Sequence, residues 1–217
     1  PNSWRTGLQL FSGYLRSNAN TAICVAAFGL SATAEYGLSV QVMGIAMGMA
    51  TVWTMVKWPV VGQYRSAGNL LGLQRVLWSR SWLQVITFLV LAAGAILVGP
   101  MALSLFSKDN QMLPGSLLWL LALVTLLDMT FAFWGTLLSV ENRIPTLWAT
   151  VATNVASLVL ALVFTYYTDV GVAGLILAPL ITGLVFNYWY WPVVGAKSMG
   201  TSWWQFTFGK PQPTPKL

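Results

Sequence analysis

Residues Gly7–Phe28, GLQLFSGYLRSNANTAICVAAF, are long enough to cross a membrane and yet carry an arginine near their middle. At ~1.5 Å per residue, Arg16 lies roughly 15 Å from a helix start near Thr6, close to the midplane of a ~30 Å hydrocarbon core. A charge at that depth is costly unless it faces a bundle interior or a cavity. Its polar neighbours support that placement. Gln9, Ser12, Gly13, Arg16, Asn20 and Cys24 recur at intervals of three and four, so they share one helical face. Leu8, Phe11, Leu15, Ala22 and Phe28 form the opposite face. The stretch is an amphipathic helix turned inside out, apolar toward lipid and polar toward protein.

The composition supports this reading over the whole chain. Hydrophobic residues make up 57% and charged residues 7%, far from the ~25% charged residues of soluble domains, and mean hydropathy is +0.69. An all-α integral membrane protein is expected. Six apolar runs lie between polar breaks, at about 6–29, 36–58, 80–104, 115–138, 146–167 and 172–196. Runs of ~20 residues satisfy their own backbone amides only as helices, whereas a barrel needs ~10-residue alternating strands. With a single cysteine, Cys24, no disulfide can form within the chain. The absence of histidine and the scatter of the five acids leave no metal-ligand cluster, and no cofactor is expected. No cleavable signal sequence is visible, and because the chain begins at Pro1 without methionine, an upstream portion is expected.

The net charge of +6 would suit nucleic acid if it formed a patch, but its distribution follows membrane sidedness instead. With the N-terminus inside, Arg5, Lys57, Arg65, Arg75, Arg80, Arg143, Lys197, Lys210 and Lys216 fall on the cytoplasmic side, and only Lys108 falls outside. That asymmetry predicts both chain ends in the cytoplasm. Glu35, Asp109 and Asp169 fall outside and Glu141 inside. Trp4, Trp58, Trp78, Trp82, Trp134, Trp148, Trp189 and Trp191 gather toward the inner ends of spans, with Tyr36, Trp119, Tyr166 and Tyr167 toward the outer ends, as interface anchors do.

The other spans add candidate residues. Gly44 and Gly48 have GxxxG spacing, which predicts close approach of another helix, and Pro59 predicts the end of that span. Residues 66–79, with Leu70, Leu71, Leu73, Val76 and Leu77 set against Arg75, predict an amphipathic helix on the inner membrane surface that runs into the third span. The fourth span carries Asp128 on a face with Thr125, Ala132, Gly135 and Ser139, ~20 Å from its outer end and so near the depth of Arg16. A third polar stripe, Thr146, Thr150, Thr153, Asn154, Ser157, Ala161 and Thr165, suits either interhelical hydrogen bonding or cavity lining. In the sixth span Pro179 predicts a hinge, followed by Thr182, Gly183 and Asn187. The basic, proline-rich tail 198–217 is expected to lie on the inner surface through Trp203 and Trp204 and then to lose order.

From Glu35 to Phe106 the order is an acid, Tyr36 and Gly37, a Gly- and Met-rich span, a Pro-ended helix, a basic amphipathic connection and an apolar span closing in PMALSLF. Together with GVAGLILAPLITGLVFNYWYW from Gly171, it resembles the O-antigen-type oligosaccharide and polysaccharide flippases of the multidrug/oligosaccharidyl-lipid/polysaccharide exporter superfamily. The resemblance covers nearly the whole chain and implies one six-helix lobe of a two-lobe, twelve-helix transporter. It implies an undecaprenyl-pyrophosphate oligosaccharide as substrate, a bacterial inner membrane location and an N-terminal lobe or second subunit as partner. The family's cationic cavity residues carry over only to Arg16, with Gln9, Asn20, Asp128, Asn154 and Asn187 as further cavity candidates. The alternatives are a multidrug exporter of the same superfamily, for which Asp128 supplies few acids, and a packing subunit in which Arg16 and Asp128 neutralise each other. A glycan polymerase or ligase is disfavoured because the outer loops, 30–35, 105–114 and 168–171, are too short to carry a catalytic site.

Overall fold

The computed structural model describes residues 3–106, 111–140 and 144–209. Among them the chain is helical throughout, with no strand: α1 (Ser3–Met55), α2 (Trp58–Ser66), α3 (Leu70–Phe106), α4 (Gly115–Ser139), α5 (Leu147–Tyr167), α6 (Ala173–Val185), α7 (Asn187–Ser198) and α8 (Trp203–Phe208). Four helices are long and apolar enough to cross a membrane, five when α6 and α7, which are bent by 40°, count as one span. The protein is therefore a helical membrane protein. The charges at Lys108, Asp109, Glu141, Arg143, Lys210 and Lys216, and the end of the tail, lie outside the described residues.

At 53 residues, α1 would be ~80 Å long if straight, more than twice the ~30 Å it has to cross. It is not straight. Gly29 has φ 81° and ψ −178°, a conformation essentially reserved for glycine. Asn20 lies beside Tyr36 and Cys24 beside Thr33, while Gly13 and Arg16 share a cavity with Met47. These pairs bracket Gly29 almost symmetrically, so the two arms of α1 fold back on each other there. The loop expected at 30–35 is absent. The chain is helical up to and beyond the glycine, and Thr33 Oγ1 donates to the Gly29 carbonyl at 2.7 Å.

The second arm buries Tyr36, Ser39, Met43, Ala46, Ala50 and Thr54. It runs antiparallel to α3, with Trp53 Nε1 donating to Thr87 Oγ1 (2.9 Å) and Thr54 Oγ1 to Gln84 Oε1 (2.7 Å). Gly44 and Gly48 are displaced from this buried stripe. A Cβ added at either would meet nothing within 4 Å, so the close packing expected of them does not occur among the described residues.

The expected helix 66–79 forms from Leu70 and runs into the third span as one continuous α3, ~55 Å long, and its first turns pack against protein on one side. Leu73 and Leu77 are fully buried in a cluster with Val61, Leu137, Met199 and Phe206, and Gln74 Nε2 donates to the Met199 carbonyl at 2.8 Å. The tail departs from expectation for the same reason. A capping box at Ser202 and Gln205 starts α8, Phe206 is buried edge-on to Trp134, and Trp82 Nε1 donates to the Thr207 carbonyl. Trp204 is left exposed.

α5 runs parallel to the first arm of α1, as the pairings Gln9 with Thr146 and Thr150, then Ser12 with Asn154, require. α6 and α7 return antiparallel to α5, with Phe164 against Gly174 and Asn187 against Thr153. Pro179 does not make the bend. It stays within α6, and the helix breaks at Phe186, seven residues on. At the break the ring of Tyr188 occupies the space a side chain at Gly183 would need, Trp189 Nε1 donates to the freed Val185 carbonyl (3.2 Å), and Phe186 stacks on Tyr190. Local ring packing around residues 183–190 accompanies the bend there, away from Pro179.

Candidate functional site

The polar faces converge on a cavity of about 320 Å³ lined by Gly13, Arg16, Met47, Asp128, Phe131, Thr153, Asn154, Gly183, Asn187 and Tyr188. Each arrives for a local reason. Arg16 sits on the polar stripe of the first arm, Asp128 in the middle of α4, and Thr153 and Asn154 on the inward side of α5. Asn187 and Tyr188 begin α7 just after the break, so the bend is what delivers them to the cavity wall.

The charges meet there. Arg16 Nη2 lies 3.2 Å from Asp128 Oδ2, with each side chain about one quarter exposed (24% and 29%). Tyr188 Oη donates to the other oxygen, Asp128 Oδ1, at 2.7 Å. Both oxygens of the carboxylate are thus engaged. The guanidinium is not saturated: of its five N–H donors, only one through Nη2 finds a protein acceptor among the described residues. A fork of donors beside an open cavity is suited to a second, external anion, above all one with paired oxygens.

The neighbouring amides make this scaffold stiff. Asn154 Nδ2 donates to Ser12 Oγ at 2.9 Å, and Asn187 donates to Thr153 Oγ1 while accepting from Trp191 Nε1. Arg16, Asp128, Asn154 and Asn187, singled out in the sequence, are therefore brought together. Gln9 is not in the cavity and instead ties α1 to the start of α5 through Thr146 and Thr150. Asn20 is buried away from it beside Tyr36, with its Oδ1 lacking a hydrogen-bond partner. Gly44 and Gly48 face outward, and Met47 between them supplies the lining. Pro179 contributes only its carbonyl, 3.5 Å from Tyr188 Oη. The sequence reading missed Tyr188. Its one available signal was its place directly after Asn187, itself a cavity candidate.

No three His, Cys, Asp or Glu side chains gather among the described residues, so they offer no ready metal site. Compared with family models, with curated proteins and with solved structures, the chain matches none.

Proposed function

We propose that this chain is one lobe of a transporter that flips a lipid-linked oligosaccharide, carried on a pyrophosphate, across a bacterial cytoplasmic membrane by alternating access. In this reading α1 crosses twice, α3, α4 and α5 once each, and the bent α6–α7 pair once, giving six passes with both ends in the cytoplasm. The directions of packing around Gly29 and the gathering of Arg65 with Ser198 at one end, 3.4 Å apart, support it. The outward face of Gly44 and Gly48, open to approach, suits a second lobe.

The observation that carries the proposal is Arg16 itself, a mid-membrane guanidinium with spare donors at the edge of a 320 Å³ cavity, both oxygens of its partner Asp128 already engaged. An incoming pyrophosphate takes the fork, and Asp128 keeps Tyr188 and holds Arg16 when the cavity is empty. The test is the appearance of surface glycan in cells that depend on the protein. Arg16→Ala abolishes it while the protein still inserts, Arg16→Lys retains part because charge survives without the fork, and Asp128→Asn costs less. The second reading, favoured by the same short bonds, is that the pair is structural. Breaking one side of such a pair orphans the other, so full glycan export by the Arg16→Ala, Asp128→Ala double variant establishes it and ends the transport assignment.

A further inference from the structure

Next to the Arg16 cavity lies a second, equally open one of about 290 Å³, lined by α3, α4, α7 and α8. Its lining is aromatic and aliphatic, with Trp82, Val85, Leu127, Phe133, Pro192 and Trp203 prominent. Tyr188 belongs to both linings. Its hydroxyl is on Asp128 and its ring stands between the two spaces, a polar tip and an apolar body placed where each is needed. The apolar cavity starts beside Asp128, at Leu126 and Leu127, and extends to Ser81 and Thr207 near the basic end. Water fits such a space poorly, because an ordered water needs two to four polar partners.

We propose that this apolar cavity holds the proximal hydrocarbon chain of an anionic-headed lipid whose phosphate oxygens are on Arg16, with Tyr188 as the divider between head and chain. The inference rests on the transport reading for the identity of the head, and it adds where the chain lies. Charge complementarity chooses the occupant. The apolar space shares a wall residue with a cavity whose cation has unused donors, so a molecule with an anionic head joined to an apolar chain satisfies both. A neutral lipid would leave the spare donors of Arg16 unused.

The test uses the purified protein in nanodiscs with three photoreactive probes, each carrying a diazirine on its hydrocarbon chain: farnesyl pyrophosphate, farnesol and phosphatidylglycerol. Farnesyl pyrophosphate is expected to label peptides containing residues 82–85, 126–133 and 203–207, with labelling competed by inorganic pyrophosphate and at least tenfold weaker for farnesol. Phosphatidylglycerol labelling that pyrophosphate competes would make a membrane phospholipid the source of the same head-and-chain chemistry. Labelling by all three probes without competition would show a bulk lipid crevice and overturn the proposal. Leu127→Trp, which fills the chain cavity, should reduce labelling at least tenfold with the thermal midpoint retained. Val85→Trp replaces it if Leu127→Trp fails to fold, and unchanged labelling in the folded variant also overturns the proposal. If Arg16→Ala abolishes glycan export while Leu127→Trp leaves labelling intact, the chain site falls alone. If labelling behaves as expected while Arg16→Ala exports normally, the transport reading falls alone.

Discussion

The middle of the molecule and its basic end both have buried apolar packing but differ in what is added to it. In the middle, where Met43, Phe88 and Met129 are buried, α1, α4, α5 and α7 also meet through single hydrogen bonds: Arg16 to Asp128 at 3.2 Å, Tyr188 to Asp128 at 2.7 Å, Asn154 to Ser12 and Asn187 to Thr153 at 2.9 Å each. At the basic end, Leu73, Leu77, Leu137 and Met199 are at most 1% exposed. There a chain of rings runs from Trp58 to Phe133 (5.9 Å), Trp134 (5.1 Å) and Phe206 (5.1 Å). The solvent explains the contrast. Lipid tails are as apolar as leucine, so helices gain little by hiding apolar surface in mid-bilayer and rely on packing and interhelical hydrogen bonds. Burial is favourable again wherever water is the solvent, and α2, the start of α3, α7 and α8 bury apolar side chains together at the basic end. The result is a clamp at one end and a gap in the middle.

That contrast can be broken at either side. The largest effect belongs to the clamp. Trp134→Ala removes a ring packed between Phe133 and Phe206 and against Gly195, and an aromatic truncated in a core typically costs about 3–5 kcal/mol. Thermal unfolding in detergent should show it, and a loss below about 1 kcal/mol would mean that the end is not a clamp. A smaller effect is expected in the middle. Asn154→Ala removes the bond to Ser12, and interhelical hydrogen bonds in membranes average about 0.6 kcal/mol with a maximum near 1.7. A cost as large as that of Trp134→Ala in the same assay would erase the distinction. The smallest effect sharpens it: Gly48 is exposed and a Cβ there meets no neighbouring atom within 4 Å, so with Gly48→Leu the isolated chain should hold its stability within about 0.5 kcal/mol. A clear loss in the presence of a second lobe, and not without it, would locate that lobe on this face.

That the chain is helical with several helices long and apolar enough to cross a membrane was legible, because length and hydropathy respond directly to the bilayer. The meeting of Arg16 with Asp128 was legible because a charge at mid-depth has so few partners to choose from. The buried stripe Thr150, Asn154, Ser157 and Ala161 of α5 was legible from spacing alone. Other features depend on what a neighbour does. Hydropathy marks where lipid begins and not what a helix packs on, so the burial of Leu73 and Leu77 against Val61, Leu137 and Met199 was hidden. GxxxG spacing states that a close approach is possible at Gly44 and Gly48, and the chain places its own neighbours on the Met43 and Ala46 stripe instead. Pro179 weakens one backbone bond, whereas Phe186, Tyr188 and Trp189 fill the actual bend with rings, and no local rule ranks those two against each other. Gly29 looks like any glycine in an apolar run until its two arms are seen together.

The one-residue reversal at Gly29 also bears on how the chain is made. Asp128 follows Arg16 by 112 residues, so at ribosomal rates of about 5–20 residues per second the cation precedes its carboxylate by roughly 6–22 s. A long loop would leave the first arm alone in the bilayer for much of that interval. With no loop, closing the hairpin costs little chain entropy, and contacts zip outward from Gly29, Cys24 to Thr33 first and Asn20 to Tyr36 next. The arginine then reaches mid-membrane already beside the arm that carries Met47, and the nascent hairpin shelters the charge until α4 is synthesised.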